Sequence, residues 1–351
     1  MLNIDLNVTS VCNLACSYCS EGVECGLSAL KLKHTEVTKE EIIEKINTLL
    51  EKDTVKINFW GGEPLSNWKY CKDIMMSFLD EKRISFFFYT NGILVKDHID
   101  DIKYLNKNLQ NKLIMQISYD GEYLTDTIRV DKSGKGTAKR VKEAYKLLKE
   151  NDIETSLKSV ISHQGFEHLY DSFLDIYGIQ GHYNPTPDLY SEITEEEIEP
   201  YFDILEKELM KISQYIYNND LSPNVFSWFR QSRAICSAGA DIAGVDLNGK
   251  VYPCHGVFYD NEDVESYSID DIENVRKNFK EINKNLPIEC QTCNVNFCMK
   301  CQASNLRHSK KETFAEKWTD YQSNWSVCRL FKLNDVYNKT IRYAMNEKGI
   351  K

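Results

Sequence analysis

Apolar residues recur with two different periods along the first half of the chain. Short apolar runs predict β-strands, and segments whose apolar residues lie three or four apart predict amphipathic helices. The predicted strands are Leu2–Val8, Val55–Trp60, Ile84–Tyr89, Leu113–Tyr119, Thr155–Ile161 and a sixth around Gln180–Asn184. The predicted helices are Thr38–Leu50, which opens with a Thr38/Glu41 capping box, Trp68–Glu81, Lys96–Leu109, Ala138–Asn151 and His168–Tyr177. Such alternation favours a parallel sheet covered by helices.

The strand–helix alternation also limits the architecture. Six units are too few to close an eight-stranded barrel, so we predict an α/β fold with a partial (β/α)6 TIM-like barrel over residues 1–190. In such sheets, functional residues lie at the carboxyl ends of the strands. Segments rich in Cys, Gly or polar residues follow four of the predicted strands: Cys12–Cys19, Gly61–Pro64, Thr90–Gly92 and Ser118–Gly121.

The pattern changes after residue 190. Thr194 and Glu197 predict the start of a long helix whose apolar stripe is typical of a core: Phe202, Leu205, Leu209, Ile212 and Ile216. Gly244–Leu247 and Lys250–Tyr252, joined at Asn248-Gly249, predict a β-hairpin with a type I′ turn. We therefore predict a helical linker at 191–235, a cysteine-rich module at 236–330 and a C-terminal helix at 331–351.

Composition narrows the class of protein. A net charge of −10, from 43 basic and 53 acidic residues, argues against binding to nucleic-acid phosphates. No signal peptide is visible, and no apolar run approaches the roughly 20 residues of a membrane-spanning helix. Twelve cysteines without a secretion signal predict a cytoplasmic protein whose cysteines bind metal. Because the chain begins almost at the first strand, we expect no leader-binding domain ahead of it.

Cys12, Cys16 and Cys19 form a CxxxCxxC motif directly after the first predicted strand. Three thiolates this close can hold three irons of a 4Fe–4S cube and leave the fourth iron without a protein ligand. A small molecule can chelate such an iron and receive an electron, and Tyr18 can shield the cluster. A zinc site or a set of buried thiols is the alternative interpretation.

Together with Gly61-Gly62-Glu63-Pro64, this motif resembles the radical S-adenosylmethionine (SAM) superfamily. The resemblance implies that the open iron binds the amino and carboxylate groups of SAM, and that electron transfer produces a 5′-deoxyadenosyl radical. It also implies that the GGEP turn binds the SAM amino group. Glycines suit this task because they let backbone approach a ligand closely.

A later series, Ser118-Tyr119-Asp120-Gly121 and then Asp126-Thr127-Ile128-Arg129, resembles the SPASM-type radical SAM enzymes, which include the anaerobic sulfatase-maturing family. By that resemblance, Ser118 contacts the SAM ribose and Arg129 its carboxylate, for which the guanidinium fork is suited. A surface ion pair is the alternative for Arg129. Asp120 either joins this site or organises its own turn, and Asn91 is a further candidate near the nucleoside.

Seven more cysteines resemble the SPASM layout, which implies two auxiliary 4Fe–4S clusters. By that resemblance, Cys236, Cys254 and Cys301 hold the nearer cluster, and Cys290, Cys293, Cys298 and Cys328 hold the outer one. The spacing from Cys290 to Cys301 departs from the family pattern, and those four alone would also suit zinc. Because two cubes need eight ligands, either the nearer cluster has an iron open to a substrate thiolate, water or a non-cysteine ligand, or only one cluster is complete.

Three residues near these motifs have open assignments. Cys71 lies in a predicted helix and is expected to be a small buried hydrophobe. Cys25 is either inert or a ligand or thiol near the substrate. His255 stands where the sulfatase-maturing branch carries an aspartate base, so it is either a base or a structural hydrogen-bonding residue.

The resemblance implies a maturase of a ribosomally made peptide that forms a thioether or carbon–carbon crosslink, or a related oxidation. Alternatives are a sulfatase-maturing (formylglycine-generating) enzyme, which His255 disfavours, a radical SAM enzyme for a small molecule, and a non-catalytic zinc-binding module. We expect a peptide or protein substrate, which the tyrosine-rich region Tyr183–Tyr201 could contact. We also expect an electron donor such as flavodoxin or ferredoxin, and either direct substrate recognition or a separate leader-binding protein. Neither nucleic acid nor membrane is an expected partner.

Overall fold

The structure is a computed structural model. It describes residues 1–19, 34–188, 195–230, 236–257 and 325–350, and in between only 267–268, 290, 292–295, 298, 301, 303–304, 309–313 and 316–317. Cys25, Thr194 and much of the predicted cysteine-rich module lie outside these residues.

The strands and helices of the first half follow the predicted order. The strands are β1 (Leu2–Thr9), β2 (Val55–Gly61), β3 (Ile84–Thr90), β4 (Ile114–Ser118), β5 (Glu154–Ile161), β6 (Pro185–Pro187), β7 (Ile242–Val245), β8 (Lys250–Tyr252) and β9 (Tyr267–Ser268). The helices are α1 (Lys39–Leu50), α2 (Trp68–Met76), α3 (Val95–Asn108), α4 (Glu122–Thr127), α5 (Ala138–Glu150), α6 (Leu169–Gln180), α7 (Glu195–Asn218) and α8 (Trp325–Glu347). The predicted capping box is confirmed, since Thr38 and Glu41 each accept from the other's backbone N–H.

Within the described residues, the strands form one sheet in the order β6-β5-β4-β3-β2-β1-β7-β8-β9. The six strands from β1 to β6 are parallel, which confirms the partial barrel. β7 also pairs in parallel with β1, from Asn3↔Ile242 to Leu6↔Val245, and β8 and β9 follow antiparallel. The cysteine-rich module therefore extends the barrel sheet through β7.

The two faces of β1 differ in chemistry. Leu2, Ile4, Leu6 and Val8 are buried, and Ile4 and Leu6 lie against Ile42 and Ile46 of α1. Asp5, on the opposite face, points into the barrel together with Asn58 of β2, whose Nδ2 donates to Asp5 Oδ1 at 2.7 Å. The barrel interior therefore contains buried polar groups, which require hydrogen-bond partners.

The long helix α7 packs its apolar stripe into the core, as predicted. Phe202, Leu205, Leu209, Ile212 and Ile216 are all buried. The helix contacts α8, and the hydroxyl of Tyr337 donates to Glu206 at 3.0 Å. The described helices include none that is long and apolar enough to cross a membrane.

Three predicted boundaries were wrong. The sixth strand lies at Pro185–Pro187, because α6 continues to Gln180 and ends at Gly181, whose φ is +75°. Prolines fit this strand because it is the edge of the sheet, where a missing N–H is tolerated. α2 ends at Met76, not at Glu81, and the C-terminal helix begins at Trp325 and so includes Cys328.

The predicted type I′ turn was also wrong. Such a turn needs positive φ at both central residues, but of Asn248 and Gly249 only Gly249 has one, at +79°. The backbone N–H of Asp246 donates to Lys250 O, and Asp246 Oδ1 accepts from the backbone N–H groups of Asn248 and Lys250 at 2.8 and 2.9 Å. The loop is therefore one residue longer than predicted, because the Asp246 side chain organises it.

Candidate active site

The cysteine loop that follows β1 is fixed on two sides by backbone hydrogen bonds. On one side, Gly62 N–H donates to Thr9 O at 2.7 Å and Glu63 N–H to Val11 O at 2.9 Å. On the other side, the N–H groups of Ala15 and Ser17 donate to the carbonyls of Val130 and Ile128 at 2.8 and 3.1 Å. Cys12, Cys16 and Cys19 are all half-buried. Their loop therefore lies between the GGEP turn and the segment around Arg129, both of which the family resemblance assigns to the SAM site.

Gly61 and Gly62 are required by this packing. A Cβ at Gly61, whose φ is +134°, would lie 2.2 Å from Thr9 O, and one at Gly62 would lie 2.6 Å from Val11 O. Both contacts are with backbone, which cannot move aside as a flexible side chain can. The glycines thus bring the turn against the start of the cysteine loop, and SAM binding by Gly61, Gly62 and Pro64 stays a prediction.

Glu63 joins the ends of two neighbouring strands. Its side chain is 1% exposed and accepts from Thr90 Oγ1 at 2.7 Å, from Asn91 N–H at 2.8 Å and from Leu65 N–H at 3.1 Å. Burial raises the pKa of Glu63 to about 7, although these hydrogen bonds act in the opposite direction. The carboxylate therefore has a structural task beside its predicted contact with an ammonium group.

Asn91 connects β3 to the cysteine loop. Its Nδ2 donates to Asn13 Oδ1 at 2.7 Å and lies 3.8 Å from Cys12 Sγ, and its Oδ1 accepts from the Ile93 N–H. The structure places Asn91 beside the predicted cluster loop, and its contact with a nucleoside stays a prediction.

Asp120, at the end of β4, is fully buried and joins three segments. Its Oδ2 accepts from Tyr18 Oη and from Arg129 Nε, both at 2.6 Å, and its Oδ1 accepts from Val160 N–H at 2.8 Å. Asp120 therefore does more than organise its own turn, because it fixes a residue of the cysteine loop and the predicted SAM-binding arginine.

Arg129 forms a buried ion pair, so the alternative of a surface ion pair was wrong. Its side chain is 10% exposed, its Nη1 lies 4.0 Å from Cys16 Sγ, and its guanidinium carbon lies 5.1 Å from the Tyr18 ring centroid. Burial disfavours the charged form, but the charge and hydrogen bond of Asp120, together with contributions from Tyr18 and Cys16, hold the pKa of Arg129 above its usual value.

The chemistry of this loop suits an iron–sulfur cluster. Burial raises the pKa of the Cys12 thiol to about 11, and it also raises the pKa of Cys16 although Arg129 lowers it. Such thiols are poor nucleophiles unless a metal replaces the proton. Within the described ranges, no three His, Cys, Asp or Glu side chains converge as they would on a single metal ion, whereas a cube takes each thiolate on a separate iron.

Three auxiliary cysteines, Cys236, Cys254 and Cys301, lie near enough to one another for their charges to interact. Burial raises the pKa of Cys236 to about 11 and that of Cys254 further above its usual value, and the charges of neighbouring cysteines, including Cys301, add to both shifts. In α8, burial raises the pKa of Cys328, with a smaller contribution from Cys293. The division of these cysteines, with the half-buried Cys290 and Cys298, into two ligand sets stays a prediction.

His255 points into the barrel interior beside Cys254. Its Nδ1 lies 2.6 Å from Oδ2 of Asp5, and its ring centroid lies 4.8 Å from that of Trp60. Sequence reasoning missed Asp5, although it is the one carboxylate among the polar positions of an alternating strand, which was a usable signal.

Other predicted residues are placed as follows. Cys71 is fully buried in α2, as expected. Ser118 is half-buried at the end of β4 and pairs in register with Lys158. Tyr183 is fully buried against Phe226, so it packs the core and does not line a substrate channel.

Comparison with known proteins agrees with this geometry. A profile of the radical SAM superfamily matches residues 6–176. The serine-type anaerobic sulfatase-maturating enzyme of Bacteroides thetaiotaomicron is 23% identical, over 86% of this chain and 82% of its own length. The radical SAM cyclopropyl synthase TigE of Paramaledivibacter caminithermalis is 27% identical over 49% of this chain, which spans only 38% of that relative.

Solved structures share the fold over most of the chain. Native anSMEcpe with bound AdoMet gives a TM-score of 0.71 at 18% identity and covers 99% of this chain and 100% of its own. SuiB from Streptococcus suis gives a TM-score of 0.57 at 15% identity and covers 90% of this chain and 75% of its own.

Proposed function

Residues 6–176 belong to the radical SAM superfamily, and from this premise we propose that the protein is a maturase that abstracts hydrogen from a ribosomally made peptide. One observation carries the proposal. The Gly61-Gly62 turn is bonded to the cysteine loop through its backbone, and Asp120 holds both Tyr18 of that loop and the buried Arg129 at the carboxyl end of the same sheet.

The residues of this edge fit SAM and a 4Fe–4S cluster. Cys12, Cys16 and Cys19 would hold the cluster. The SAM amino group would bind at Gly61–Pro64, the ribose at Ser118 beside Asn91, and the carboxylate at Arg129. When bound, the pair supplies an electron and a 5′-deoxyadenosyl radical.

Arg129 is prepared for this task by its neighbours. Asp120 occupies Nε, which leaves further donors of the guanidinium for a second carboxylate. Because Asp120 also holds Tyr18, the arginine and the cysteine loop keep a fixed relative position. A preorganised site of this kind loses little conformational entropy when it binds its ligand.

A peptide substrate is supported by the likeness to anSMEcpe with bound AdoMet and the Cp18Cys peptide, which has a TM-score of 0.69 and covers 98% of this chain. The sheet of the described residues is open at β6, so an extended chain could reach the interior from that side. Turnover would also need an electron donor such as flavodoxin or ferredoxin. Either the protein recognises the peptide directly, or a separate leader-binding protein delivers it.

Two products have separate support. Thioether or carbon–carbon crosslinking is favoured by the match to a cyclopropyl synthase and by the Cys236, Cys254 and Cys301 set, whose open iron could bind a substrate thiolate. Formylglycine formation is favoured by the long match to a sulfatase-maturating enzyme. His255 would then be the base: Asp5 holds its Nδ1, and the other ring nitrogen can take a proton.

The test is turnover by anaerobically reconstituted protein. A holoenzyme with three cubes contains about 12 irons per chain, four in each. We expect SAM cleavage coupled to modification of Cys- or Ser-containing peptides, and the mass change of the peptide distinguishes a crosslink from conversion of cysteine to formylglycine. Turnover that ignores every peptide but responds to a metabolite would contradict the proposal, and so would colourless protein with bound zinc.

A further inference from the structure

Lys158 is an inward-facing lysine of β5 that the proposed chemistry does not use. Its neighbours Leu157 and Ser159 are buried on the helix side, where Ser159 Oγ lies 3.2 Å from the Tyr183 hydroxyl. Because side chains alternate along a strand, Lys158 points to the barrel interior. Its register partner is Ser118, so both lie on the same face near the proposed SAM site.

The charge of Lys158 is not balanced by the part of the chain that the structure describes. Burial, and then the positive charge of Arg230, lower the pKa of Lys158 to about 8. No carboxylate of the described residues forms an ion pair with it, in contrast to Arg129 and Asp120. A partly buried cation whose charged neighbour is a second cation attracts anions, since an anion relieves both desolvation and repulsion.

Arg230 lies where the chain passes the open edge of the sheet. It follows a buried turn, Ser227–Phe229, and its Nε donates to Asn224 O at 3.2 Å. Trp228 Nε1 donates to Pro185 O at 2.9 Å, which fixes this turn beside the edge strand β6. Arg230 is exposed, and its charge lies near enough to the interior Lys158 to lower the pKa of that lysine.

We propose that Lys158 and Arg230 bind a carboxylate of the peptide substrate and so select peptides with an acidic group near the modified residue. This inference rests on the proposed function. Charge-assisted hydrogen bonds to a carboxylate are among the strong ones, and arginine adds a planar fork to the point charge of lysine. Since the whole chain carries a net charge of −10, long-range electrostatics repel an acidic peptide, and only such a local pair would retain it.

The first test measures protection of Lys158 in the reconstituted enzyme. The probes are two pools of synthetic Cys- and Ser-containing peptides that differ only in Glu or Gln, each with a free or an amidated C-terminus. Limited acetylation and mass spectrometry report each lysine. We expect the Glu pool to protect Lys158 severalfold more than the amidated Gln pool, while Lys146, which is 76% exposed, is acetylated equally. Protection by free-acid Gln peptides alone would identify the C-terminal carboxylate as the ligand.

The second test compares variants on the best-modified acidic peptide. Lys158→Met should raise its KM about 10- to 100-fold, the size of a charge-assisted hydrogen bond, with a smaller change in kcat. Arg230→Met should act in the same direction, Lys158→Arg should restore most of the affinity, and the surface control Lys146→Met should match the wild type. Replacing Glu by Gln in the peptide should remove the difference between Lys158→Met and the wild type.

Equal protection by all pools, or an unchanged KM in Lys158→Met, would overturn the inference and leave the proposed function standing. A Lys158→Met enzyme that has lost SAM binding would place this lysine at SAM and overturn the inference as well. Selective protection without modification of any peptide would instead contradict the maturase and retain the carboxylate site.

Discussion

The two carboxylate oxygens of Asp120 hold together the cysteine loop, the end of β5 and Arg129. Tyr18 and Val160 are separated from Asp120 by 102 and 40 residues of sequence, whereas Arg129 is 9 residues away. A motif search identifies Asp120 and Arg129 individually, but it does not indicate that they pair with each other. The sheet fixes the positions of β4 and of the loop that follows it, and these positions bring the two side chains together. No local sequence pattern encodes this arrangement.

Replacing Asp120 by Asn should destabilise the apoprotein by about 3–5 kcal/mol, because it leaves the buried Arg129 without its counter-charge. We also expect weaker SAM binding, since the guanidinium loses its orientation. Anaerobic urea unfolding and equilibrium binding measure the two effects. Glu150→Gln is the control, since it removes a solvent-exposed partner of Lys146, and its unfolding curve should match that of the wild type. Wild-type stability of the Asp120→Asn variant would show that the pair contributes little.

Glu63 predicts a dependence of stability on pH. Its pKa is raised to about 7 in the folded protein from 4.5, so the folded state binds this proton more tightly than the unfolded state. That contribution is fully present below pH 4.5 and is lost as the pH rises through about 7. The difference in unfolding free energy between wild type and Glu63→Gln should therefore shift against the wild type from pH 5 to pH 8. A difference that stays constant over this range would contradict the assignment.

The elements were predictable where one face is buried against helices. Ile84, Phe86 and Phe88 alternate along β3 and all are buried, so periodicity located the strand within a residue. Periodicity fails for the short strand Pro185–Pro187, whose position is set by pairing with Ser159–Ile161 and not by its own composition. The loop after β7 was mispredicted for a similar reason, because the Asp246 side chain competes with the preferred two-residue turn.

The contact between the GGEP turn and the cysteine loop gives a prediction for one element. Gly62→Ala places a methyl group 2.6 Å from Val11 O, so the turn and the loop must separate. We expect loss of iron from the N-terminal site and loss of SAM binding, measured by iron content and spectroscopic titration. Gly178→Ala is the matched control, because nothing lies within 4 Å of its added Cβ and alanine favours the helix by up to about 1 kcal/mol. Full iron content in Gly62→Ala would contradict the packing argument.

Contacts across the whole molecule connect the N-terminal strand to the cysteine-rich module. β7 pairs with β1, and His255 meets Asp5 across 250 residues of sequence. The family resemblance implied how the cysteines divide into sets, but it did not predict that the barrel sheet itself carries Cys254 toward the interior. This strand order results from pairing between strands that are distant in sequence, and sequence periodicity does not predict which strands pair.

The N-terminal cysteine loop and the auxiliary set of Cys236, Cys254 and Cys301 are predicted to have separable activities. Cys301→Ala should retain SAM cleavage without peptide, because the loop of Cys12, Cys16 and Cys19 is untouched. It should abolish product formation if the nearer auxiliary cluster binds substrate or accepts its electron. Chromatography of 5′-deoxyadenosine and mass spectrometry of the peptide measure the two outcomes. Normal product formation by Cys301→Ala would refute this ligand set.

The account depends on an iron of the N-terminal cluster that SAM can bind, and electron paramagnetic resonance of the anaerobically reduced protein tests this most directly. In the wild type, we expect a 4Fe–4S signal that changes when SAM is added. In Cys16→Ala, which keeps both auxiliary sets, the signal that remains should not respond to SAM. A wild-type spectrum without any cubane signal that responds to SAM would contradict the account.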